Sequence, residues 1–448
     1  MNRRGLGIIR IPKDWYVFVV LSLMIIINYL PFVYVVPRLM VSLSELALAA
    51  IMLGLMAGKD AKLCLVNFAI LMVCFAINLL AYYHCWINTL SIGSFIIRSC
   101  MCWFYMGVGI FIKKYGSEET KRASFHLIML LLVITSLTSI LVVRDYPTAM
   151  RGLDNGSIDI KGLESILYRR NTATWSMVFG MTFLLPFAIT AFKRTKNVVY
   201  LFVVSVLSYC ILKSQITMGL LMAAAFILLI VLKPISPKKL CIIVGVLILL
   251  SWVFSEYLAD LIYWLYINVF GGNTDNMLGK RFYQLYVSIN GMKLVGTFGG
   301  RFDLYMTSIK TFLEHPLIGV NAHSKGTIPY SSLINIVGLH SQFFDMLATT
   351  GIFCTAILAY IFIYLIRKMG GMIEELNDRN LFYYSIIMLV AFMIMNPTYY
   401  SACVFLVVFL GPSYLSSMQE KGTGLKVIKI RLNGSWRAGK IWLKNRGA

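Results

Sequence analysis

Long apolar runs separated by brief polar interruptions dominate this chain. A helix needs about 20 residues to cross the hydrocarbon core of a bilayer. Twelve segments read as membrane-spanning helices: 15–36, 39–57, 63–82, 89–112, 124–143, 173–191, 198–212, 217–232, 240–254, 339–366, 381–396 and 398–416. Most connections are short. Two are not, residues 144–172 and 255–338, and the alternation of spans puts both on the same side. Long loops without structure are uncommon unless they carry function. Within the larger one, the aromatic-rich stretch Trp252–Phe270 predicts an amphipathic helix along the interface. Arg301–Leu317, with Leu304, Ile309, Phe312 and Leu313 on one face, predicts a short surface helix ended by Pro316 and Gly319.

Composition excludes a soluble protein. Of 448 residues, 59% are hydrophobic and 13% charged, against about a quarter charged in ordinary soluble domains. The expected fold is an all-α polytopic membrane protein, a single integral membrane domain over 1–448. Lys and Arg outnumber Asp and Glu by 41 to 19. Twenty-seven of the 41 cations fall on the side of the N-terminus, 13 on the other and one, Arg98, within a span. Cations concentrate in cytoplasmic loops, so both termini are expected inside and the two long loops outside. The basic tail 421–448 then meets anionic lipid headgroups, and no folded reader or aromatic platform points to nucleic acid. The first span, preceded by Arg3, Arg4, Arg10 and Lys13, is too long for a signal peptide and reads as an anchor. The nine cysteines form no C-x-x-C pair and read as small hydrophobes. No nucleotide-binding signature supports ATP-driven transport.

Candidate chemistry gathers on the outer side. His340 sits where the large loop re-enters the membrane, at the water end of a span, placed to accept a proton near neutral pH. Asp345 lies about 140° away around that helix, a poor partner for the imidazole. The outer loops also hold Arg144, Arg151, Arg169, Arg170, Arg281 and Arg301 among carboxylates. The planar fork of arginine suits bidentate phosphate contact, while ion pairing with those carboxylates is the competing role. Arg98 and Glu45 are the clearest intramembrane charges and are expected to pair or to line a polar cavity.

Arg301-Phe302-Asp303-Leu304-Tyr305, then His315-Pro316-Leu317-Ile318-Gly319-Val320, then His340 through Gly351, resemble the signature of the O-antigen ligase and Wzy-type polysaccharide polymerase superfamily. The run Arg169-Arg170-Asn171-Thr172-Ala173 entering the sixth span is also similar. Specific residues match only across about 170–180 and 301–352. Ser341 stands where the family commonly has Asn, Asn321 replaces a second Gly and Thr349 the usual Glu. Where ligases often have Ser-Arg, this chain reads Lys213-Ser214-Gln215, leaving Lys213 to supply the charge one register earlier.

The resemblance implies a GT-C-like membrane fold of about twelve helices with a large outer loop carrying short helices. It implies a metal-independent, inverting glycosyltransferase without cofactor, acting on undecaprenyl-pyrophosphate-linked oligosaccharide as donor and acceptor at the outer face of the bacterial cytoplasmic membrane. His340 would be the general base. Arg301 would hold pyrophosphate, with Arg281, Arg170, Arg151, Lys213 and Arg98 as further candidate ligands. The missing Ser-Arg favours a polymerase of repeat units, for O-antigen or capsule, over a ligase that transfers the glycan to a terminal acceptor. A flippase for the same lipid is the alternative of another class, and a chain-length regulator is a possible partner of the polymerase.

Overall fold

The computed structural model describes residues 14–81, 89–153, 163–231, 253–274, 277–291, 295–319, 337–338, 340–398, 401–419, 429–432 and 435–438, with scattered positions between 239 and 250. In hydrocarbon every backbone N–H and C=O has to find its partner within the protein, so the apolar runs become helices. The first five are α1 (Trp15–Tyr29), α2 (Arg38–Lys59), α3 (Ala61–Ala81), α4 (Thr89–Tyr115) and α5 (Glu118–Asp145). Short helices α6 (Ala149–Gly152) and α7 (Leu163–Arg169) precede α8 (Trp175–Thr195), α9 (Val198–Lys213) and α10 (Thr217–Val231). The large loop holds α11 (Ser255–Asn268), α12 (Met277–Asn290) and α13 (Gly296–Glu314). After it come α14 (Gln342–Gly371), α15 (Leu376–Met395) and α16 (Ala402–Gln419). In the basic tail, β1 (Lys429–Leu432) pairs antiparallel with β2 (Ser435–Ala438).

Five helices are long and apolar enough to cross a membrane, and five shorter apolar helices accompany them among the described residues. The chain is a multi-pass helical membrane protein. Eleven of the twelve expected spans fall on helices, while seven of the fifteen positions of 240–254 lie outside the described residues. Two expectations need correction. Helix α1 stops at Tyr29, and a 3-10 turn, Pro31–Val35, replaces the last part of its span, because proline has no N–H to continue the ladder. The span expected over 339–366 is not one continuous helix: Gly351 (φ 67°, ψ −175°) interrupts α14.

Helix α16 is the central post. Residues 401–415 are buried throughout, and α16 packs against α4, α5 and α8. Small residues let these backbones approach. A Cβ on Gly109 would meet the Cβ of Phe409 at 2.5 Å, and one on Gly411 would meet the Phe187 ring at 2.3 Å. At the end rich in lysine and arginine, Arg194 joins α8 to α15 through Asp378 (2.5 Å) and Glu375 (3.0 Å). The opposite end carries the long loops. There the first loop is pinned by a small separate core of Val142, Ala149, Leu153, Leu167 and Tyr168. The ring of Tyr168 stacks on Tyr34 of the 3-10 turn at 5.1 Å.

In the large loop, α11 packs on α12 and presents Tyr257, Leu261 and Trp264 outward. That exposed apolar stripe at helical spacing is what an interfacial helix requires. Helix α13 begins five residues earlier than the pattern from Arg301 suggested and ends at Glu314.

Candidate functional site

The site is built on one face of α13. Arg301, Tyr305 and Ser308 follow one another at i, i+4 and i+7, the spacing that aligns side chains along a helix. Ser308 is fully buried and works in both directions: its Oγ donates to Asp345 Oδ1 (2.7 Å) and accepts from the Gly338 N–H (3.0 Å). The other carboxylate oxygen, Asp345 Oδ2, accepts from the Ser341 N–H (2.9 Å). Asp345 is only 1% exposed, so it is held by hydrogen bonds rather than by water. Ser341 caps α14, its Oγ accepting from the Phe344 N–H (3.3 Å).

His340 lies between the two backbone positions gripped in this way. It is half-buried, and its Nδ1 meets the Gly338 carbonyl at 3.0 Å. A carbonyl only accepts, so Nδ1 carries the proton. In the neutral ring Nε2 then bears the lone pair, which makes it the basic nitrogen. Gly338 is required by space: a Cβ there would lie 2.1 Å from the Leu304 carbonyl oxygen. The turn bearing His340 thus rests directly on α13, one helical turn from Arg301.

Tyr305 links the parts. Its ring packs on Phe344 (centroids 5.6 Å apart), and its hydroxyl donates to the Met395 carbonyl (3.1 Å). Arg301 hydrogen-bonds the same phenol. Burial raises the Tyr305 pKa above the ordinary phenol value; Arg301 opposes this and the Asp345 carboxylate adds to it. The phenol therefore stays protonated and acts as a spacer.

Three guanidinium groups lie close enough to feel one another's charge. They are Arg151 on α6, Arg281 on α12 and Arg301 on α13. Burial depresses the pKa of Arg151, and the positive charge of Arg301 depresses it further. Arg281 is lowered by burial and then by both Arg151 and Arg301. The fixed partners of Arg281 and Arg301 include neutral groups, Gln284 Oε1 (3.0 Å) and the Tyr305 phenol. Gathering like charges in a half-buried place is unfavourable unless an anion comes to sit among them.

The chain returns to the membrane through an interlock. Helix α13 ends before Pro316, and the carbonyls of Pro316 and Leu317 accept the N–H groups of Ile352 (2.8 Å) and Phe353 (3.5 Å). Those are donors freed by the break in α14. Both glycines of the contact have positive φ, Gly319 at 75° and Gly351 at 67°. A Cβ on Gly319 would meet the Thr349 carbonyl at 2.4 Å, and one on Gly351 the Leu317 oxygen at 2.3 Å. Thr349, which stands in place of the expected Glu, bonds back to the Asp345 carbonyl (2.8 Å). The Pro-Leu-Ile-Gly and Thr-Thr-Gly runs are therefore the two halves of one joint. On the far side of the His340 turn, Gln342 Oε1 accepts from the Thr398 N–H (3.1 Å), which ties the start of α14 to the α15–α16 connection.

The sequence-derived candidates thus separate. His340, Arg301, Arg281 and Arg151 share one region. Arg170 is exposed after α7, and no described contact joins it to the three arginines. Lys213 is exposed at the end of α9, its ammonium 5.5 Å from the centre of the Tyr209 ring. Arg98 lies on α4, but its side chain is outside the described residues, so the expected pairing with buried Glu45 is as well. Ser308, Tyr305 and Asp345 were not singled out as site residues. The spacing from Arg301 could have indicated the first two. The helical angle turns Asp345 away from the ring, and its role is instead to hold the backbone on either side of His340. No group of three His, Cys, Asp or Glu side chains is clustered as a metal site would need among the described residues.

A family model described as O-antigen ligase (Wzy_C) matches residues 200–359. The match runs from α9 past the break in α14 and takes in Arg281, Arg301 and His340, while Arg151 lies outside it. The match covers 160 of the 448 residues and overlaps the 301–352 stretch whose residues resemble that signature; members of the matched family transfer glycans. No curated protein and no solved structure matches the chain.

Proposed function

We propose that this protein is a membrane glycosyltransferase that polymerises lipid-linked oligosaccharide repeat units on the loop-bearing face of the cytoplasmic membrane, with the basic end and both termini cytoplasmic. The observation that carries this is the mutual charge influence of Arg151, Arg281 and Arg301, which come from three different helices, with the His340 turn resting on α13, the helix that bears Arg301. No nucleotide sugar is present outside a cell, so a donor there has to carry its own leaving group. A polyprenyl pyrophosphate does so, and its lipid tail calls for an enzyme open to the bilayer.

In the proposed step, Nε2 of His340 takes the proton from an acceptor hydroxyl as that oxygen bonds to the anomeric carbon. The bond from that carbon to the phosphate oxygen breaks, and its electron pair leaves with the pyrophosphate. Arg151, Arg281 and Arg301 stabilise the negative charge growing on the departing oxygen, help aimed at the transition state. Attack opposite the leaving group inverts the anomeric centre. Asp345 and Ser308 hold the His340 turn in register with the arginines. Arg170, Lys213 and Arg98 remain candidates for contacts farther along the substrate.

The family description favours a second reading, transfer of the finished glycan to a terminal acceptor. Donor chemistry is the same in both, so the acceptor decides. Purified protein given only lipid-linked repeat unit should form long polymer, with no translocation step. Product formed only when a lipid A core acceptor is added would assign the ligase reaction, and no glycan product with either acceptor would leave a flippase.

A further inference from the structure

A second site lies far from the arginines, at the basic end. Between α5 and α9 there is a cavity of about 350 Å³, walled by Met129, Val133, Phe202 and Val203. Its other lining residues include Leu130 and Val199, both more than half exposed, so the cavity opens toward lipid. His126 and Tyr200 bring polar atoms to it. Nε2 of His126 lies 3.3 Å from the Tyr200 hydroxyl and 3.1 Å from that of Tyr414, and the Tyr414 hydroxyl donates to Tyr200 (2.7 Å). His126 is eight residues into α5 and two residues past the start of its apolar span at 124. Glycan transfer at the other end has no use for this imidazole. Among the described residues no protein group bonds its Nδ1.

A cation stands next in sequence to the cavity lining, at the turn that opens α9. Asn197 lines the cavity. The adjacent Lys196 is exposed, with its ammonium 6.0 Å from the centre of the Phe192 ring. Lys114, Lys121 and Arg194 each pair with a carboxylate, but Lys196 pairs with none among the described residues. An ammonium at headgroup height, polar atoms just below it and an apolar slot beneath match the order of groups in one class of molecule. We propose that this cavity binds an anionic glycerophospholipid of the adjacent leaflet, its phosphate at Lys196, its ester region at Tyr200 and His126, and one acyl chain in the slot. This assignment does not depend on the reaction performed at the opposite face.

The test uses the full chain, delipidated in detergent and titrated with dioleoylphosphatidylglycerol or dioleoylphosphatidylcholine, with native mass spectrometry counting bound lipid. The wild type should hold one phosphatidylglycerol per chain at least about tenfold more tightly than phosphatidylcholine, a preference of about 1.4 kcal/mol. Lys196→Asn should abolish the preference without disturbing the backbone, since Lys196 sits at φ 54°, a conformation asparagine tolerates. Val203→Phe, which fills the slot, should lower binding of both lipids. Equal affinity of the wild type for the two lipids would overturn the proposal, as would an undiminished preference in Lys196→Asn. If Val203→Phe does not fold, the lysine variant decides.

Discussion

Asp345→Asn is the sharpest probe of how the site is held together. The carboxylate accepts two hydrogen bonds, from Ser308 Oγ at 2.7 Å and from the Ser341 N–H at 2.9 Å. An amide of the same shape supplies one acceptor and one donor. Placed one way, its NH2 confronts the Ser341 N–H. Placed the other way, it confronts Ser308 Oγ, whose hydroxyl already accepts from Gly338. Either orientation loses at least one bond to a charged group, worth about 1.5–3 kcal/mol. The loss falls on the backbone at residues 338 and 341, which flank His340. A displacement of about 1 Å at a reacting group can cost on the order of 10²-fold in rate. The variant should therefore fold, retain its KM for lipid-linked donor because the arginines are untouched, and lose roughly 10- to 100-fold in kcat. Single-turnover transfer by purified protein measures this. Ser308→Ala should cost a similar amount, and the double variant little more than either single, because both act through one network. Wild-type kcat in a folded Asp345→Asn protein would refute the reasoning, and so would a raised KM with unchanged kcat.

Other expectations follow from the same geometry. His340→Ala should lower transfer about 10²–10⁴-fold, the usual contribution of a positioned base, while donor binding persists; a near-normal product ladder would remove His340 from the mechanism. Arg301→Lys keeps the charge but loses the fork, so pyrophosphate should inhibit the variant less strongly than the wild type, as read by competition against donor. Gly351→Ala forces a side chain toward the Leu317 oxygen at φ 67° and ψ −175°, a conformation essentially confined to glycine that alone costs about 1–3 kcal/mol, and should cut the yield of monodisperse protein in size-exclusion chromatography. Burial raises the pKa of Asp14, but hydrogen bonds from Ser117 and Thr120 outweigh it, and the result lies below the ordinary carboxylate value. Its stabilisation is then present at neutral pH and fades as pH falls through that depressed value, so Asp14→Asn should flatten the acid side of a melting-temperature profile.

Much of this molecule was legible in the sequence because hydrocarbon leaves a helix few alternatives. The spans could be read from apolar length alone, and the placing of cations indicated which ends share a side. The arginines of the long loops stood out because the expected topology discourages them there, and three of them feel one another's charge. What could not be read were contacts between distant segments. Nothing local to Asp345 shows that Ser308 arrives from the preceding loop, and helical angles measured from His340 pointed away from it. The break at Gly351 was equally hidden. A glycine within an apolar run is common in membrane helices, and only the docked Pro316–Gly319 segment reveals that its φ is positive. Arg170 and Lys213 belong to the opposite lesson: proximity to a motif in sequence did not bring either beside the three arginines.

The joint at Gly351 also constrains how the protein is made. Residues 316–319 leave the ribosome before 351–353, so the receiving carbonyls are in place first and wait for donors not yet synthesised. The apolar stretch from 342 onward is long enough to enter the bilayer as one helix, and the N–H groups exposed by its break at Gly351 are met by the earlier segment. Insertion and maturation become separable events. A nascent chain halted between them would be threaded through the lipid with the joint between Pro316 and Ile352 still open.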